Sequence, residues 1–215
     1  MNIGIVGPAG SGKGTQAVAI AKRYNLVHLV VGDALRDEIK TGSKLGQEIA
    51  KHINFGSAAP SKVVVDVVKK QMEKNKGKDF LLDSAPYNLD QVSAFSKVIE
   101  IDALLLLDFS DPSVVFERLA KRRHCPSCHL TTSTVENPSE ICPVCGTALE
   151  VRPDDSREII EWRLKNFETN IRPVTKHFDK LGKLIKVSAD GTIEEVWQSI
   201  TKALDAFFAK KNVIG

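Results

Sequence analysis

Gly7-Pro8-Ala9-Gly10-Ser11-Gly12-Lys13-Gly14-Thr15 is the stretch whose reading decides the fold. A short apolar run at 2–6 precedes it and a helical pattern over 16–24 follows, so the local order is strand, glycine-rich loop, helix. Glycines let backbone N–H groups turn inward around phosphate oxygens. The N-terminus of the following helix adds partial positive charge, and a lysine in this place reaches the outer phosphates. In its strict form the pattern has serine or threonine directly after the lysine. Here Gly14 intervenes, and Thr15 supplies the hydroxyl for metal or phosphate. Gly10, Ser11, Gly12, Lys13, Gly14 and Thr15 are therefore read as the cradle of a nucleoside triphosphate. The alternative, a tight strand-to-helix turn without a ligand, explains neither the repeated glycines nor the lysine.

Outward from the loop, further apolar runs at 26–31, 80–83, 103–109 and 184–188 read as strands. Helical spacing is found at 34–41, 44–54, 61–75 and 89–100, then from a Ser110-Asp111-Pro112 cap to about Arg123. A long helix follows from 154 toward 178, with Pro173 kinking or dividing it, and a last one covers 192–210. Five strands alternating with helices imply a parallel sheet covered on both faces. The fold class expected is α/β: a five-stranded parallel sheet of the P-loop NTPase type, flanked by helices. Ligands of such sheets lie beyond the carboxyl ends of the strands, where Gly7, Asp33, Asp83 and Asp108 all fall. Asp83, and behind it Asp33, are placed to hold Mg²⁺ through its water shell, since that ion keeps several waters and needs only one or two carboxylates. Taken singly, each acid reads better as a helix cap or a surface charge.

Residues 124–152 break the helical pattern with cysteine, proline, threonine and glycine, as an inserted lobe would. Cys125-x₂-Cys128 and Cys142-x₂-Cys145 form two knuckles with turn-forming Pro126, Pro143 and Gly146 around them. Four thiolates satisfy tetrahedral Zn²⁺ and leave no open position, which makes the site structural. The lobe is short and polar, so the metal would replace the core it lacks. His124 and His129 read as surface residues.

Thirty basic residues face 27 acidic ones in the 215-residue chain, a net charge of +3 that gives no reason to invoke nucleic acid. Lys121-Arg122-Arg123 beside the knuckles invites a nucleic-acid-binding zinc ribbon, but dense basic and aromatic interleaving is missing there. The apolar runs are far short of the roughly 20 residues that span a bilayer, and the N-terminus lacks a basic leader pattern. A cytoplasmic protein with no membrane partner is expected, its clustered cysteines binding metal rather than forming disulfides.

With these pieces placed, the chain resembles the adenylate kinases along almost its whole length. GPAGSGKGTQ at 7–16, GDALRDEIKTGSKLG at 32–46, FLLD at 80–83, ERLAKRR at 117–123, the cysteine lobe, and RPDD followed by WRL at 152–164 carry the resemblance. It implies a core of 1–30, 61–121 and 155–215, a small helical monophosphate-binding lobe at 31–60, and a zinc-bearing lid at 122–154. It implies ATP plus AMP giving two ADP, reversibly and with Mg²⁺, in a monomer. By position, Arg36 would hold the monophosphate's phosphate and Gln91 its base, near Val31. Arg118 would stack on the base of ATP. Arg122, Arg152 and Arg163 would join Lys13 at the transferring group, and Asp154 and Asp155 would fix the lid and its arginines.

Two departures bear on the acceptor. Where the family reads Gly-Phe-Pro-Arg after the third strand, this chain reads Ser84-Ala85-Pro86-Tyr87, and Val31 replaces a threonine near the adenine. Lys62 or Arg172 could supply the missing cation. Otherwise the acceptor differs from AMP, or the chain binds nucleotide as a regulator with little turnover.

Overall fold

In a computed structural model, residues 1–53, 59–111, 113–128, 130–151 and 155–214 are described. Strand β1 (Ile3–Val6) leads through the glycine-rich loop into helix α1 (Lys13–Tyr24). Then come β2 (Val27–Val30), α2 (Val31–Lys40), α3 (Lys44–Ile53), α4 (Ser61–Lys74), β3 (Phe80–Asp83), α5 (Leu89–Phe95), β4 (Ala103–Asp108) and α6 (Val114–Ala120). After β5 (Arg122–His124) and β6 (Thr131–Ser133), the chain returns through α7 (Arg157–Asn166), a π-helical turn (Phe167–Ile171), α8 (Arg172–Lys180), β7 (Leu184–Ser188) and α9 (Ile193–Ile214).

Strands β2-β3-β1-β4-β7 form one parallel sheet in that order. Alternation along β4 divides the core between its faces. Leu104 and Leu106 join Val64, Val68, Phe80, Val174 and Phe178 on one side. Leu105 and Leu107 join Ile5, Ile20, Val115, Ile200 and Leu204 on the other. Each fully buried leucine contributes about 2–3 kcal/mol of transfer free energy, so a face-swapping register slip is strongly disfavoured. From β1 the chain passes to the edge strand β2, returns to β3 between the two, then crosses to β4 on β1's other side. This reversal opens a crevice at the carboxyl end of β1, beneath the glycine-rich loop.

Local details depart from the sequence reading. Helix α2 begins at Val31 rather than Ala34, because Val31 and Ala34 together bury a first turn against the core. Helix α5 ends at Phe95, where a turn drops Ile99 and Ile101 into the core. Helix α6 stops at Ala120, and Arg122 and Arg123 are extended, paired antiparallel with Ser133 and Thr132. Its N-cap is Ser113, whose N–H and hydroxyl both donate to Asp111, while Pro112 lies outside the described residues. The long C-terminal helix starts at Arg157, capped by Ser156, and divides at 167–171. Pro173 in the first turn of α8 lacks an N–H and cannot continue an α-helical ladder, which the wider turn accommodates.

Candidate active site

Glycine is required at two points of the loop. A Cβ on Gly7 would lie 2.2 Å from the Leu107 carbonyl oxygen, so β1 and β4 approach there as no other residue allows. Gly12 caps α1 with φ 78°, a left-handed conformation, and no side chain caps the helix. The first N–H groups of α1 and its positive end thus face the crevice. Ser11 Oγ is buried beside them without a hydrogen-bond partner among the described residues, as a cradle waiting for an acceptor would be. Lys13 Nζ folds back onto the loop, donating to the carbonyls of Gly7 (2.7 Å) and Pro8 (3.0 Å). Burial lowers its pKa to about 8; Asp83 opposes the shift, and Arg163 and Arg122 add to it. Gly14 and Thr15 lie exposed on the first turn, and Gly10 packs on Val115 and Leu119.

Lys13 thus senses Asp83, Arg122 and Arg163 together, two of which arrive from beyond the fourth strand. Asp83 ends β3 with 5% exposure; its carboxylate accepts from Ser84 Oγ (3.1 Å) and lies 3.1 Å from His28 Nε2. The sequence reading missed His28, a lone histidine in an apolar strand. It meets Asp83 only because β2 pairs with β3, setting His28 opposite Leu81, two residues before the acid. The carboxylate of Asp155 is fully buried. Arg122 grips it with two nitrogens, Nε at 2.8 Å, and Arg163 approaches it at 3.6 Å. Three cations face two carboxylates here, which suits a polyanion.

Arg118 lies over the Phe109 ring (5.0 Å to the centroid) and donates to the Gly191 carbonyl at 3.2 Å. Gln16 ties the same segment to α1 by donating to the Ile193 carbonyl at 2.9 Å. The segment after β7 therefore sets Arg118's place, a role no residue type within it announces.

On the acceptor side, Arg36 and Asp33 pair with one another on the exposed first turns of α2. Val31 is 6% exposed and packs in the core. Gln91 is buried, its Oε1 accepting from the Tyr87 N–H at 2.8 Å, and the Tyr87 hydroxyl accepts from Asn170 Nδ2 at 3.2 Å. Arg172, one of the two cations the sequence suggested as a replacement, pairs with Asp108 and Glu168 and lies over the Phe167 ring. Lys62 is exposed in the first turn of α4. Arg152, Asp154 and His129 lie outside the described residues.

The four cysteine sulfurs all lie within 4.8 Å of one another, a cluster able to hold a metal ion. Cys125 and Cys142 are buried, while Cys128 and Cys145 lie at the surface. Apart from these two thiols, Leu149 and Leu130 alone among the described residues build the local core. Hydrogen bonding with the side chain and backbone of Thr147 lowers the Cys145 pKa to about 6. Backbone pairing of His124 with Glu150 in both directions (2.9 Å each) closes the base of this small β5–β6 unit.

The family model described as Adenylate kinase matches residues 5–183. Similar curated proteins include an adenylate kinase of Methanothrix thermoacetophila, 33% identical over 96% of this chain and 100% of the relative. Another, from Pyrococcus furiosus, is 35% identical over 95% of this chain and 96% of the relative. A third, from Thermococcus onnurineus, is 36% identical over 95% and 94%. No helix among the described residues is long and apolar enough to cross a membrane.

Proposed function

The chain belongs to the adenylate kinase family and is a phosphotransferase acting on nucleoside monophosphates, and from that premise we propose that it moves the terminal phosphoryl group of ATP reversibly to AMP, giving two ADP. The observation that carries this reading is the convergence on Lys13. One ammonium at the mouth of the loop feels the acid that ends β3 and the two arginines gathered by Asp155. Phosphoryl transfer needs alignment, charge neutralisation and exclusion of water more than covalent help.

In this reading the loop from Gly10 to Thr15 holds the triphosphate and Arg118 stacks on its base. Arg122, Arg163 and Arg152 meet at the transferring phosphate with Lys13. Arg36, Gln91 and Val31 receive the monophosphate. Asp83, nearly buried yet at the strand's carboxyl end, fits a Mg²⁺ held through water, with Asp33 behind it; that ion would neutralise phosphate charge. Zn²⁺ fits the thiolates: with Zn–S of about 2.3 Å, tetrahedral sulfurs lie roughly 3.8 Å apart, close to the 3.4 and 3.5 Å of Cys125–Cys145 and Cys128–Cys142. Residues 31–60 act as the monophosphate lobe and 122–154 as the lid over a core of 1–30, 61–121 and 155–215, in a cytoplasmic monomer.

A coupled assay with ATP, Mg²⁺ and each of AMP, GMP, CMP and UMP tests the proposal. Turnover greatest with AMP is expected, and no turnover with any of the four would refute it. Tyr87 favours a second reading, a nucleotide-binding regulator with weak turnover, because a phenol cannot neutralise a phosphate. Tight ATP binding without turnover would select it.

A further inference from the structure

The Tyr87 side chain is not simply a gap where a cation is missing. Asn170 Nδ2 donates to its hydroxyl at 3.2 Å and also reaches the Asn166 carbonyl at 3.2 Å. Asn166 lies one turn beyond Arg163 on α7, and Tyr87 lies four residues beyond Asp83. The relay therefore links the segment that follows Asp83 to the end of α7, the helix that carries Arg163, and both of those residues act on Lys13. Its backbone end is fixed as well, by the buried Gln91 accepting the Tyr87 N–H.

Two features mark the relay as unfinished without a ligand. The Tyr87 hydroxyl already accepts from Asn170, so its own proton is left to donate, and among the described residues no acceptor takes it. Asn166 Nδ2 is buried with no partner among the described residues, although its neighbour Asn170 is well bonded. A cluster serving only to brace the fold would satisfy that donor, because a buried amide left unpaired is costly. Burial raises the Tyr87 pKa, which keeps the phenol protonated near neutral pH.

We propose that Tyr87 is a substrate-contacting residue that donates its hydroxyl hydrogen bond to the phosphate of the acceptor nucleotide, with Asn170 as its positioning residue. The acceptor phosphate is then held on this side by a neutral donor, and its charge is met by the arginines alone. This rests on the monophosphate-kinase reading and specifies how its acceptor site recognises phosphate.

The test uses the full-length chain with calorimetric binding of AMP and of ATP, steady-state kinetics and thermal unfolding. Tyr87→Phe is expected to weaken AMP binding roughly tenfold or more, the scale of one hydrogen bond to a charged group, while ATP binding stays within about twofold. Asn170→Ala should weaken AMP binding in the same direction. The double variant should be no worse than Tyr87→Phe, since Asn170 acts through the phenol. Tyr87→Arg should bring no gain. Unchanged AMP binding in Tyr87→Phe with a lowered melting temperature would show a mere brace and overturn the proposal. A gain in Tyr87→Arg would also overturn it, because only charge would have been missing. If the parent enzyme neither binds nor phosphorylates any of the four monophosphates, the kinase reading falls and takes this one with it. If the parent is active and Tyr87→Phe matches it, this proposal alone fails.

Discussion

Replacing Asp155 with asparagine removes one charge and almost no volume from the point where two arginines meet. The carboxylate is fully buried, Arg122 binds it through two nitrogens, and Arg163 stands 3.6 Å away. Breaking a buried pair by neutralising one partner costs about 3–5 kcal/mol when the other charge is stranded. Here Arg122 keeps 15% exposure and Arg163 30%, so water recovers part of their solvation. The lower range, about 2–3 kcal/mol, is expected. For a chain of this size each kcal/mol moves the midpoint by roughly 2–4 °C, which predicts a melting temperature lower by about 5–10 °C.

The same substitution acts on rate. Two guanidiniums gathered by one carboxylate become two like charges with nothing between them, and they separate. Misplacing groups that align a transferring phosphate by about 1 Å costs on the order of 100-fold. Turnover of Asp155→Asn should fall by roughly 10- to 100-fold in a coupled kinase assay, with ATP affinity changing far less, because the loop that grips the triphosphate is untouched. Calorimetric melting and single-turnover kinetics measure the two effects separately. A melting temperature within about 1 °C of the parent, together with kcat within about twofold, would refute the claim that Asp155 organises both arginines.

Lys13 carries a pH signature: with its pKa lowered to about 8, it is charged in the empty site only below that value. ATP affinity should therefore decline above pH 8 with linked proton uptake, seen by calorimetry in buffers of different ionisation enthalpy; a flat profile to pH 9.5 would count against it. For the ligand-free protein the sign runs the other way, since the unfolded lysine holds its proton up to its ordinary 10.5, so this group favours folding increasingly between about 8 and 10.5. Stripping metal from the cysteine cluster should unfold the β5–β6 unit and abolish most turnover, with Zn²⁺ restoring both; full activity in a metal-free protein would exclude a structural role. Glu38 is 5% exposed and held by Lys70 and Ser43, with Lys70 lowering its pKa, so Glu38→Gln should cost about 1–2 kcal/mol at pH 7. That difference should shrink only in acid, as pH falls through the lowered pKa and the parent's carboxylate is protonated too; urea titrations at pH 7 and across the acid range check it.

Much of the framework could be read from local pattern because its causes are local. Buried strands such as Leu81–Leu82 and Leu104–Leu107 are continuous apolar runs, and the glycine-rich loop needs its residues side by side. What escaped depends on pairings that only the fold creates. His28 meets Asp83 across 55 residues, and Arg172 meets Asp108 across 64. Arg122 and Arg123 read as a helix end because basic residues suit that position, yet pairing with β6 draws them into a strand. Pro173 correctly signalled a break, but the turn that absorbs it lies upstream, where Phe167 and Ile171 must both stay buried.

The two halves of the site are made of different material, and that explains why they differ in legibility. The proposed triphosphate half is largely backbone: helix N–H groups, a left-handed Gly12, and a Gly7 with no room for a Cβ against Leu107. Backbone function restricts sequence at each position, so nine consecutive residues announce it. The proposed monophosphate half would be assembled from side chains on α2, the segment after β3, α5 and the π-helical turn. Each of these depends on a neighbour far along the chain, as Tyr87 depends on Asn170 across 83 residues. A site of that kind can exchange a cation for a hydrogen-bond donor without disturbing the loop. In the proposed site the donor nucleotide falls to a local motif, whereas the acceptor's binding is to be decided by perturbing contacts between distant residues, Tyr87 and Asn170 first.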